Sequence, residues 1–582
     1  MIDLRANPFF LGEKEIQWVS ETIQTMSLSE KIGQLFCLMG FSDDTYVLKN
    51  LTEQIGIGGV MYRAGEAEKT RYVHEFLQNH SKIPLLIAAN LEAGGNGITT
   101  DGTNFAKPMQ TGATNNEEMG YALGKISCSE GAAVGCNWAF APIVDIDKNF
   151  RNPITNLRTF GDNADLVIKM ASSYMKAADE EGVAVSIKHF PGDGVDERDQ
   201  HLLTSINDLS CSDWDNTYGK IYRTLIEKGA KTVMVGHIAL PEYVLSLCPD
   251  SKHAYMPATL SPEILNNLLR EKLSFNGLIV TDASTMLGFV TKMPREKAVP
   301  TAIQAGCDMF LFTKDLKEDM TYMLDGVKKG YLTTARLDEA VTRILALKAS
   351  LQLHTKQKNG TLVPQPQSLE ILKCKKHIDW ANQCADEAVT LVKDTQNLLP
   401  LSPDRYPRIL LNVLEEEDEL DTPLRTDFKN ILEKEGFEVT VRKRLKPMSM
   451  KALMGSDDSK MVEDFFAEIS ESVEGFKSKY DLVFYVSNFE TASNNTVVRI
   501  QWRGLLGFGN DFPWFVEEVP TLFISMANPY HLLDVPMVKT FINAYTYNEY
   551  VVSAVVEKIM GRSAFKGKSP VDASCGRLDT MQ

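Results

Sequence analysis

The sequence predicts an α/β protein in which a (β/α)₈ barrel is followed by a smaller αβα sandwich domain. Two observations support this fold class: eight short apolar runs alternate with helical stretches before residue 350, and a second, shorter alternation follows a polar segment. The length agrees, because the chain has 582 residues and a single hydrophobic core stops growing at roughly 250 to 300. We expect a barrel over residues 1–353, a linker over 354–369 and a second domain over 370–582.

The eight apolar runs resemble parallel barrel strands, which are buried on both faces. The helical stretches between them, such as DLVIKMASSYMKAADEEG, end in a glycine that suits a left-handed helix cap. An open doubly wound sheet is the competing arrangement, but so many strands in one region favour closure. In chain order the runs are IGQLFCL after Lys31, GGVMY from Gly58, IPLLIAAN from Ile83, NWAFAPIV from Asn137, VAVSIKHF from Val183, TVMVGHIAL from Thr232, GLIVTDA from Gly277 and DMFLF from Asp308.

The segment HTKQKNGTLVPQPQS, from His354 to Ser368, is polar, contains two prolines and has no period, which is typical of an interdomain linker. The runs RILLNVL, FEVTVRK, DLVFYVS, PTLFISM and VKTFINAY then alternate with helical stretches such as PLRTDFKNILEKEG. This alternation predicts the αβα sandwich.

Composition and charge exclude several classes of partner. The 61 Lys and Arg residues against 77 Asp and Glu give a net charge of −16, which disfavours nucleic acid and anionic membranes. No apolar run is long enough for a membrane helix, and the first residues do not resemble a secretory signal. The nine scattered cysteines, with no CxxC pair, favour a cytoplasmic protein with reduced thiols.

Polar residues that follow the apolar runs are the candidates for a functional site, because the carboxyl ends of barrel strands meet at one face. We expect no metal and no cofactor, since the sequence has no HExxH motif and no cluster of Cys and His. The candidates are Asn90, Glu92, Asp145, Asp147, Arg158, Lys188, His189, His237 and Asp282.

The segment KHFPGDGVDERDQHLLTS, residues 188–205, is the densest group of such residues. It places Asp199 two positions before His201, where a carboxylate can hold the imidazole Nδ1 proton and leave Nε2 for proton transfer. Solvated loop residues are the alternative interpretation of this pair. For Asp282 in GLIVTDASTM the alternative is a helix N-cap, for His237 a packing role, and for Asp145 and Asp147 a loop or cap role.

Several of these segments together resemble glycoside hydrolase family 3, and within it the β-N-acetylglucosaminidase branch. They are KHFPGDG followed by DQH, IVTDASTM downstream and NWAFAPIVDIDKNFRNPITNLRTFGD upstream. The resemblance covers about residues 26–350, and AVTLVKDTQNLLPL and the segment from SMANPYHLLD onward resemble parts of the family's second domain. Nearly the whole chain is covered, and the motifs occur in the family's order.

The resemblance implies a role for each residue. Asp282 matches the nucleophile that forms a covalent glycosyl-enzyme, and His201, oriented by Asp199, matches the acid/base histidine of this branch. Lys188, His189 and Arg158 match residues that hold sugar hydroxyls, while Asn90 stands where the family has an aspartate with that task. The positive charges of Lys188 and Arg158 near Asp282 would also favour its ionised form.

The activity implied is retaining, exo-acting hydrolysis of terminal β-linked N-acetylglucosamine by a monomer or homodimer. A phosphorylase of the same branch is an alternative, because a neutral histidine does not repel inorganic phosphate from the glycosyl-enzyme. A β-glucosidase of the same family and a sugar-binding protein without catalysis are further alternatives.

Four positions depart from the family pattern. Asn90 replaces the strand-three aspartate, so that we expect weaker or altered hydroxyl recognition, and Asn96 replaces an arginine. Asp193 replaces the histidine of KHFPGHG and adds a negative charge that either raises the pKa of His201 or faces solvent. Gln200 replaces the serine of DSH.

Overall fold

Eight parallel strands form a barrel in the computed structural model, which describes residues 2–416, 422–443, 459–460, 462–463, 470–494, 499–502 and 511–582. One strand lies in each of the eight predicted apolar runs, and the predicted barrel is confirmed. The strands are β1 Phe36–Gly40, β2 Gly59–Tyr62, β3 Leu86–Ala89, β4 Trp138–Ala139, β5 Ala184–Phe190, β6 Thr232–Val235, β7 Leu278–Thr281 and β8 Phe310–Leu311.

The strands follow one another around the barrel in chain order. Strand β8 pairs with β1 through Phe310 and Phe36, and a parallel bridge between Val280 and Met309 joins β7 to β8. The register shifts between β5 and β6 at Ile187/Phe190, so that Lys188 and His189 lie at an irregularity of the strand. Such bulges re-aim side chains beside active sites.

Helices alternate with the strands, as the sequence predicts. Gly182 follows the helix Ala164–Glu180 with a φ of +67°, and Gly229 follows Tyr218–Glu227 with a φ of +96°, which confirms the glycine caps. The α-helices up to residue 388 are Glu13–Thr25, Leu28–Gln34, Thr45–Lys49, Ala67–Asn79, Pro108–Thr114, Glu117–Ala133, Ala164–Glu180, Cys211–Asn216, Tyr218–Glu227, Pro241–Leu247, Leu287–Val290, Arg295–Ala305, Leu316–Lys329, Thr334–Ser350, Leu353–Lys358 and Lys375–Ala388.

Other helical turns and one small sheet complete this part of the chain. Ser205–Ile206 pairs in parallel with Ile238–Ala239 and joins the loop after β5 to the loop after β6. Asn50–Ile55 and Glu263–Lys272 are π-helical, and the 3₁₀ turns are Gly95–Gly97, Asn156–Arg158, Ala258–Leu260 and Pro366–Ile371.

The predicted linker contains regular structure. Some of its residues belong to the helix Leu353–Lys358 and to the 3₁₀ turn Pro366–Ile371. By its contacts the chain divides into two compact units, and this segment lies in the first unit, whose largest stretch ends at Ala381. Ser493 and Asn494, far along the chain, also group with the first unit.

The second unit is built around a six-stranded sheet. Five of its strands lie in the predicted apolar runs, and a sixth, β9, pairs antiparallel with β14. The strands are β9 Thr390–Asp394, β10 Arg408–Leu414, β11 Glu438–Val441, β12 Leu482–Ser487, β13 Thr521–Ser525 and β14 Thr540–Asn543, in the sheet order β9-β14-β13-β12-β10-β11.

Helices and a core of apolar side chains accompany this sheet. The helical segments are Pro423–Lys434, Val473–Lys479, Glu549–Ile559 and the 3₁₀ turns His531–Leu533 and Leu578–Met581. Val483, Phe515, Phe523 and Phe541 are among the buried core residues. Across both units, no helix within the described residues is long and apolar enough to cross a membrane.

Candidate active site

Asp282 lies directly after β7, at the carboxyl end of the barrel. Its backbone N–H donates to the carbonyl of Val235 (2.9 Å), and its Oδ1 accepts a hydrogen bond from the backbone N–H of Ala283 (2.7 Å). The side chain retains 13% exposure. Burial alone would raise the pKa of Asp282, but the histidines around it, His189 first, hold the pKa below its ordinary value. Asp282 is thus a shielded carboxylate that remains ionised at neutral pH.

His189 lies beside Asp282 in a fixed orientation. Its Nδ1 is 2.7 Å from Asp145 Oδ2, and its backbone N–H donates to Asp145 Oδ1 (3.0 Å). These contacts direct Nε2 toward Asp282, at 4.0 Å from Oδ2. Asp145, which the sequence left open as a loop or cap residue, is therefore the carboxylate that orients this histidine.

Lys188 and Arg158 meet at Glu92 and not at Asp282. Lys188 Nζ lies 2.7 Å from Glu92 Oε1, and the Arg158 guanidinium makes two hydrogen bonds of 3.0 Å to the two Glu92 oxygens. Burial alone would raise the pKa of Glu92, but both cations hold it well below its ordinary value. The sequence favoured these cations as partners of the nucleophile, whereas the structure gives that electrostatic task to histidines and uses the cations to bind Glu92.

Asp199 and His201 form a hydrogen-bonded pair in the loop after β5. His201 Nδ1 is 2.6 Å from Asp199 Oδ1, and the His201 backbone N–H donates to the same oxygen (2.8 Å). Burial alone would lower the pKa of His201, but Asp199 and then Asp282 raise it above its ordinary value. The His201 side chain keeps 26% exposure. This arrangement commits Nδ1 to Asp199, so that Nε2 is the ring nitrogen that can exchange a proton.

Two residues far along the chain contact this pair. The backbone N–H of Asn494 donates to Asp199 Oδ2 (2.6 Å), and Ser493 Oγ lies 3.3 Å from His201 Nε2. Asn494 has a φ of +71°, a left-handed conformation that asparagine tolerates. No sequence signal marked Ser493 or Asn494, because nothing in the local pattern relates them to residues almost 300 positions earlier.

His237 is fully buried beneath the site. Its Nε2 donates to the carbonyl of Ala283 (3.0 Å), and its Nδ1 accepts from the Thr259 hydroxyl (3.0 Å). Burial lowers the pKa of His237, so the ring is neutral. Both ring nitrogens are thus bound to protein atoms close to Asp282.

The remaining departures from the family pattern differ in their exposure. Asn90 is exposed at the carboxyl end of β3, and Asn96 follows in the next loop. Asp193 does not face solvent: it is buried and accepts hydrogen bonds from Asn152 Nδ2 (2.9 Å) and Gln200 Nε2 (3.0 Å). Burial and the charge of Asp145 raise the pKa of Asp193 to about 6.

The structure thus brings most of the sequence candidates together around two centres, Asp282 and Glu92. His189, His237, Asp199 and His201 all act on the electrostatics of Asp282 or on each other, while Lys188 and Arg158 hold Glu92. Asn90 lies at the neighbouring strand end. Within the described residues, no group of three or more His, Cys, Asp or Glu side chains is arranged to hold a metal ion.

Comparisons with known proteins show which family the chain belongs to. The family profile "Glycosyl hydrolase family 3 N terminal domain" matches residues 27–347. A β-N-acetylglucosaminidase/β-glucosidase of Cellulomonas fimi is 43% identical to this chain and is aligned over 100% of both proteins.

Solved structures are similar to this chain in fold over both units. A β-glucoside phosphorylase, BglX, bound to 2FGlc has a TM-score of 0.91 at 44% identity, over 98% of this chain and 99% of that one. A family 3 β-N-acetylglucosaminidase of Paenibacillus sp. str. FPU-7 shares the fold, with a TM-score of 0.74 at 22% identity over 94% of this chain and 99% of that one. The chain is an enzyme of glycoside hydrolase family 3.

Proposed function

We propose that this enzyme is a retaining, exo-acting β-N-acetylhexosaminidase that cleaves terminal β-linked N-acetylglucosamine through a glycosyl-enzyme on Asp282. The observation that carries the proposal is the 2.6 Å contact between His201 Nδ1 and Asp199, which leaves Nε2 as the group that exchanges protons. A protonated histidine and an ionised aspartate at one barrel mouth supply both groups that double displacement requires.

In the first step the C1–O bond to the leaving group breaks as an Asp282 oxygen bonds to C1. We assign the attack to Oδ2, because Oδ1 accepts a hydrogen bond from Ala283. The leaving oxygen takes the proton from His201 Nε2, and Asp199 stabilises the imidazolium until that transfer. The raised pKa of His201 keeps this proton available near neutral pH.

In the second step the neutral His201 acts as a base. Nε2 takes a proton from water, the resulting oxygen bonds to C1, and the C1–Oδ2 bond breaks, which regenerates both residues and retains the anomeric configuration. Because one histidine serves both steps, its pKa must be close to the working pH.

The sugar-binding roles are proposals of the same kind. Asn90 lies at the carboxyl end of β3, Lys188 and His189 lie at that of β5, and Arg158 lies in the loop after β4. They offer amide, cationic and imidazole donors to hydroxyls. We assign His237 a positioning role instead, because both of its ring nitrogens already bind Thr259 and Ala283.

The choice of sugar is supported by the relatives. The Cellulomonas fimi protein, similar over its full length, is named for action on both N-acetylglucosaminides and glucosides. Two enzymes named β-hexosaminidase are similar to this chain at 28% and 30% identity, over 52% and 40% of it respectively. We propose N-acetylglucosamine as the principal sugar and glucose as the second.

Inorganic phosphate is a second candidate for the acceptor. The charge of Asp193 would argue against an anion at the mouth, but Asp193 is buried against Asn152 and Gln200. The solved relative with a TM-score of 0.91 is named a β-glucoside phosphorylase. Hydrogen phosphate needs no base to attack C1, so His201 would remain neutral in that step. A neutral imidazole does not repel the phosphate anion.

The test is turnover of p-nitrophenyl β-N-acetylglucosaminide and β-glucoside with and without phosphate, with the sugar product identified. If the enzyme is a hydrolase, we expect it to release the free sugar both with and without phosphate. Turnover that requires phosphate and yields sugar 1-phosphate would establish the second candidate, and undiminished turnover by His201→Ala would overturn the mechanism.

A cytoplasmic location and a monomeric or dimeric state also stay proposals, to be tested by cell fractionation and sedimentation.

A further inference from the structure

Gln200 is the residue between the two members of the acid/base pair, yet its side chain points away from them. It is fully buried. Its Nε2 donates to Asp193 Oδ2 (3.0 Å), and its Oε1 accepts from the backbone N–H of His237 (2.9 Å). Gln200 and Asp193 are two of the four departures from the family pattern, and the structure shows that they bind each other.

Asp193 is itself held on several sides. It accepts from Asn152 Nδ2 (2.9 Å) and from the backbone N–H of Gly194 (2.7 Å), while its own N–H donates to Asp145 Oδ1 (2.8 Å). Asp145 is the carboxylate that orients His189. Through its Nε2, Gln200 is therefore connected to the loops after β4 and β5.

Through its Oε1, Gln200 is connected to Asp282, the proposed nucleophile. The backbone of His237 binds Gln200 Oε1, and the ring of His237 donates to the carbonyl of Ala283 (3.0 Å). Ala283 in turn donates to Asp282 Oδ1 (2.7 Å). One continuous series of contacts thus runs from the loop that bears His201 to the carboxylate that attacks the sugar.

We propose that Gln200 is a positioning residue that sets the placement of the His201–Asp199 pair relative to Asp282. The proposal rests on the function proposed above. A proton donor on a loop acts only when it is held close to its productive geometry, and a displacement of about 1 Å can cost about 100-fold in rate. Both Asp199 and His201 flank Gln200, so a shift of this one side chain moves the whole pair.

The proposal is tested with Gln200→Ser, which introduces the residue that the family pattern has and removes both contacts. The measurement is kcat/KM for a series of aryl β-glycosides that differ in leaving-group ability. A poor leaving group such as phenol needs the proton from His201, whereas 2,4-dinitrophenol does not. We expect kcat/KM to fall about 10- to 100-fold for the phenyl glycoside and to change little for the dinitrophenyl glycoside.

Gln78→Ser is the matched control. Gln78 is also buried and also bridges two groups, since its Nε2 donates to the Leu85 carbonyl (3.1 Å) and its Oε1 accepts from the Leu85 N–H (2.9 Å). It lies in the helix Ala67–Asn79 and binds the residue just before β3, at the end of the strand opposite to the site. Its replacement should lower stability to a similar extent without changing the dependence on the leaving group.

A charge exchange provides the rescue. Gln200→Glu sets two carboxylates against each other and should reproduce the loss, whereas Asp193→Asn together with Gln200→Glu restores a donor and an acceptor at the same contact. We expect the double variant to recover at least half of the lost activity on a logarithmic scale.

The outcomes separate this proposal from the mechanism on which it rests. If Gln200→Ser slows both substrates equally, or if the double variant shows no recovery, Gln200 is only a packing residue and the proposal is wrong. If His201→Ala itself shows no dependence on the leaving group, the proposed acid/base function is wrong instead.

Discussion

The two ends of the barrel each bury an aspartate, but the partners of the two aspartates differ. At the amino end, Asp308 precedes β8 and is fully buried. Its Oδ2 lies 2.6 Å from Arg270 Nη2 and its Oδ1 lies 2.7 Å from Arg336 Nη2. Arg343 Nη1 adds a third contact at 3.5 Å. These partners occupy both oxygens.

At the carboxyl end, Asp282 has fewer partners and a partly open face. One backbone N–H binds Oδ1, the nearest His189 nitrogen is 4.0 Å from Oδ2, and the side chain is 13% exposed. Both carboxylates have a lowered pKa despite burial. The comparison teaches that a buried, ionised carboxylate is not by itself evidence of catalysis. The feature that distinguishes the proposed nucleophile is an oxygen without a close cation.

The largest expected effect is the loss of turnover in Asp282→Asn. Removal of a nucleophile that acts together with an acid/base residue lowers kcat by about 10⁴-fold or more, while the isosteric amide keeps the fold. Steady-state kinetics with an aryl glycoside and sugar binding by calorimetry measure both properties. Turnover within tenfold of wild type would remove Asp282 from the mechanism.

Asp308→Asn is the opposite substitution at the other end of the barrel. It leaves the surrounding arginines with uncompensated charge, so we expect the free energy of unfolding to fall by about 3–5 kcal/mol. The kcat of the folded protein should stay near the wild-type value. If Asp308→Asn instead abolished turnover without unfolding, the contrast between the two ends would be wrong.

A smaller effect is expected for Asp199→Asn, which tests the acid/base pair at the carboxyl end of the barrel. The hydrogen bond to Asp199 raises the pKa of His201, whereas burial lowers it. The amide therefore leaves a histidine that loses its proton at lower pH, and the alkaline limb of kcat/KM should move to lower pH as kcat falls about 10²- to 10⁴-fold. A pH–rate profile measures the shift; an unmoved alkaline limb would assign that limb to another group.

The sequence predicted the fold and the strand-end residues well because both depend on local pattern. The eight apolar runs each contain a barrel strand, and Lys188, His189 and Asp282 lie at strand ends as expected. The pattern could not choose between Asp145 and Asp147, because both follow the apolar run in a loop whose path the sequence does not define. In the structure Asp145 binds His189, and Asp147 accepts the Thr155 hydroxyl (2.6 Å).

The contacts that the sequence missed are those between loops. Glu92 is a centre for Lys188 and Arg158 only because the loops after β3 and β4 meet the end of β5. Asp193 and Gln200 were each visible as a departure, but their contact depends on the loop path, where Gly194 has a φ of +102° and approaches the carbonyl of Ile146 too closely for any side chain. Motif spacing carries no information about such a path.

The smallest expected effect concerns Lys348, a second buried charge at the amino end of the barrel. It is fully buried, with Nζ 2.6 Å from Gln34 Oε1, and burial lowers its pKa to about 7. The unfolded chain keeps this proton up to the ordinary pKa of about 10.4. Between these values the unfolded state binds more protons, so the free energy of unfolding should rise with pH, by at most about 1.4 kcal/mol per pH unit. Lys348→Met should remove that slope in urea titrations between pH 7 and 9.

Lys31→Met is the control, because it breaks the 2.7 Å pair with Asp338 at the surface. It should lower the free energy of unfolding by at most about 1 kcal/mol at any pH in this range. An equal slope in wild type and Lys348→Met would show that the lysine is charged throughout and that the amino end tolerates a cation without a carboxylate.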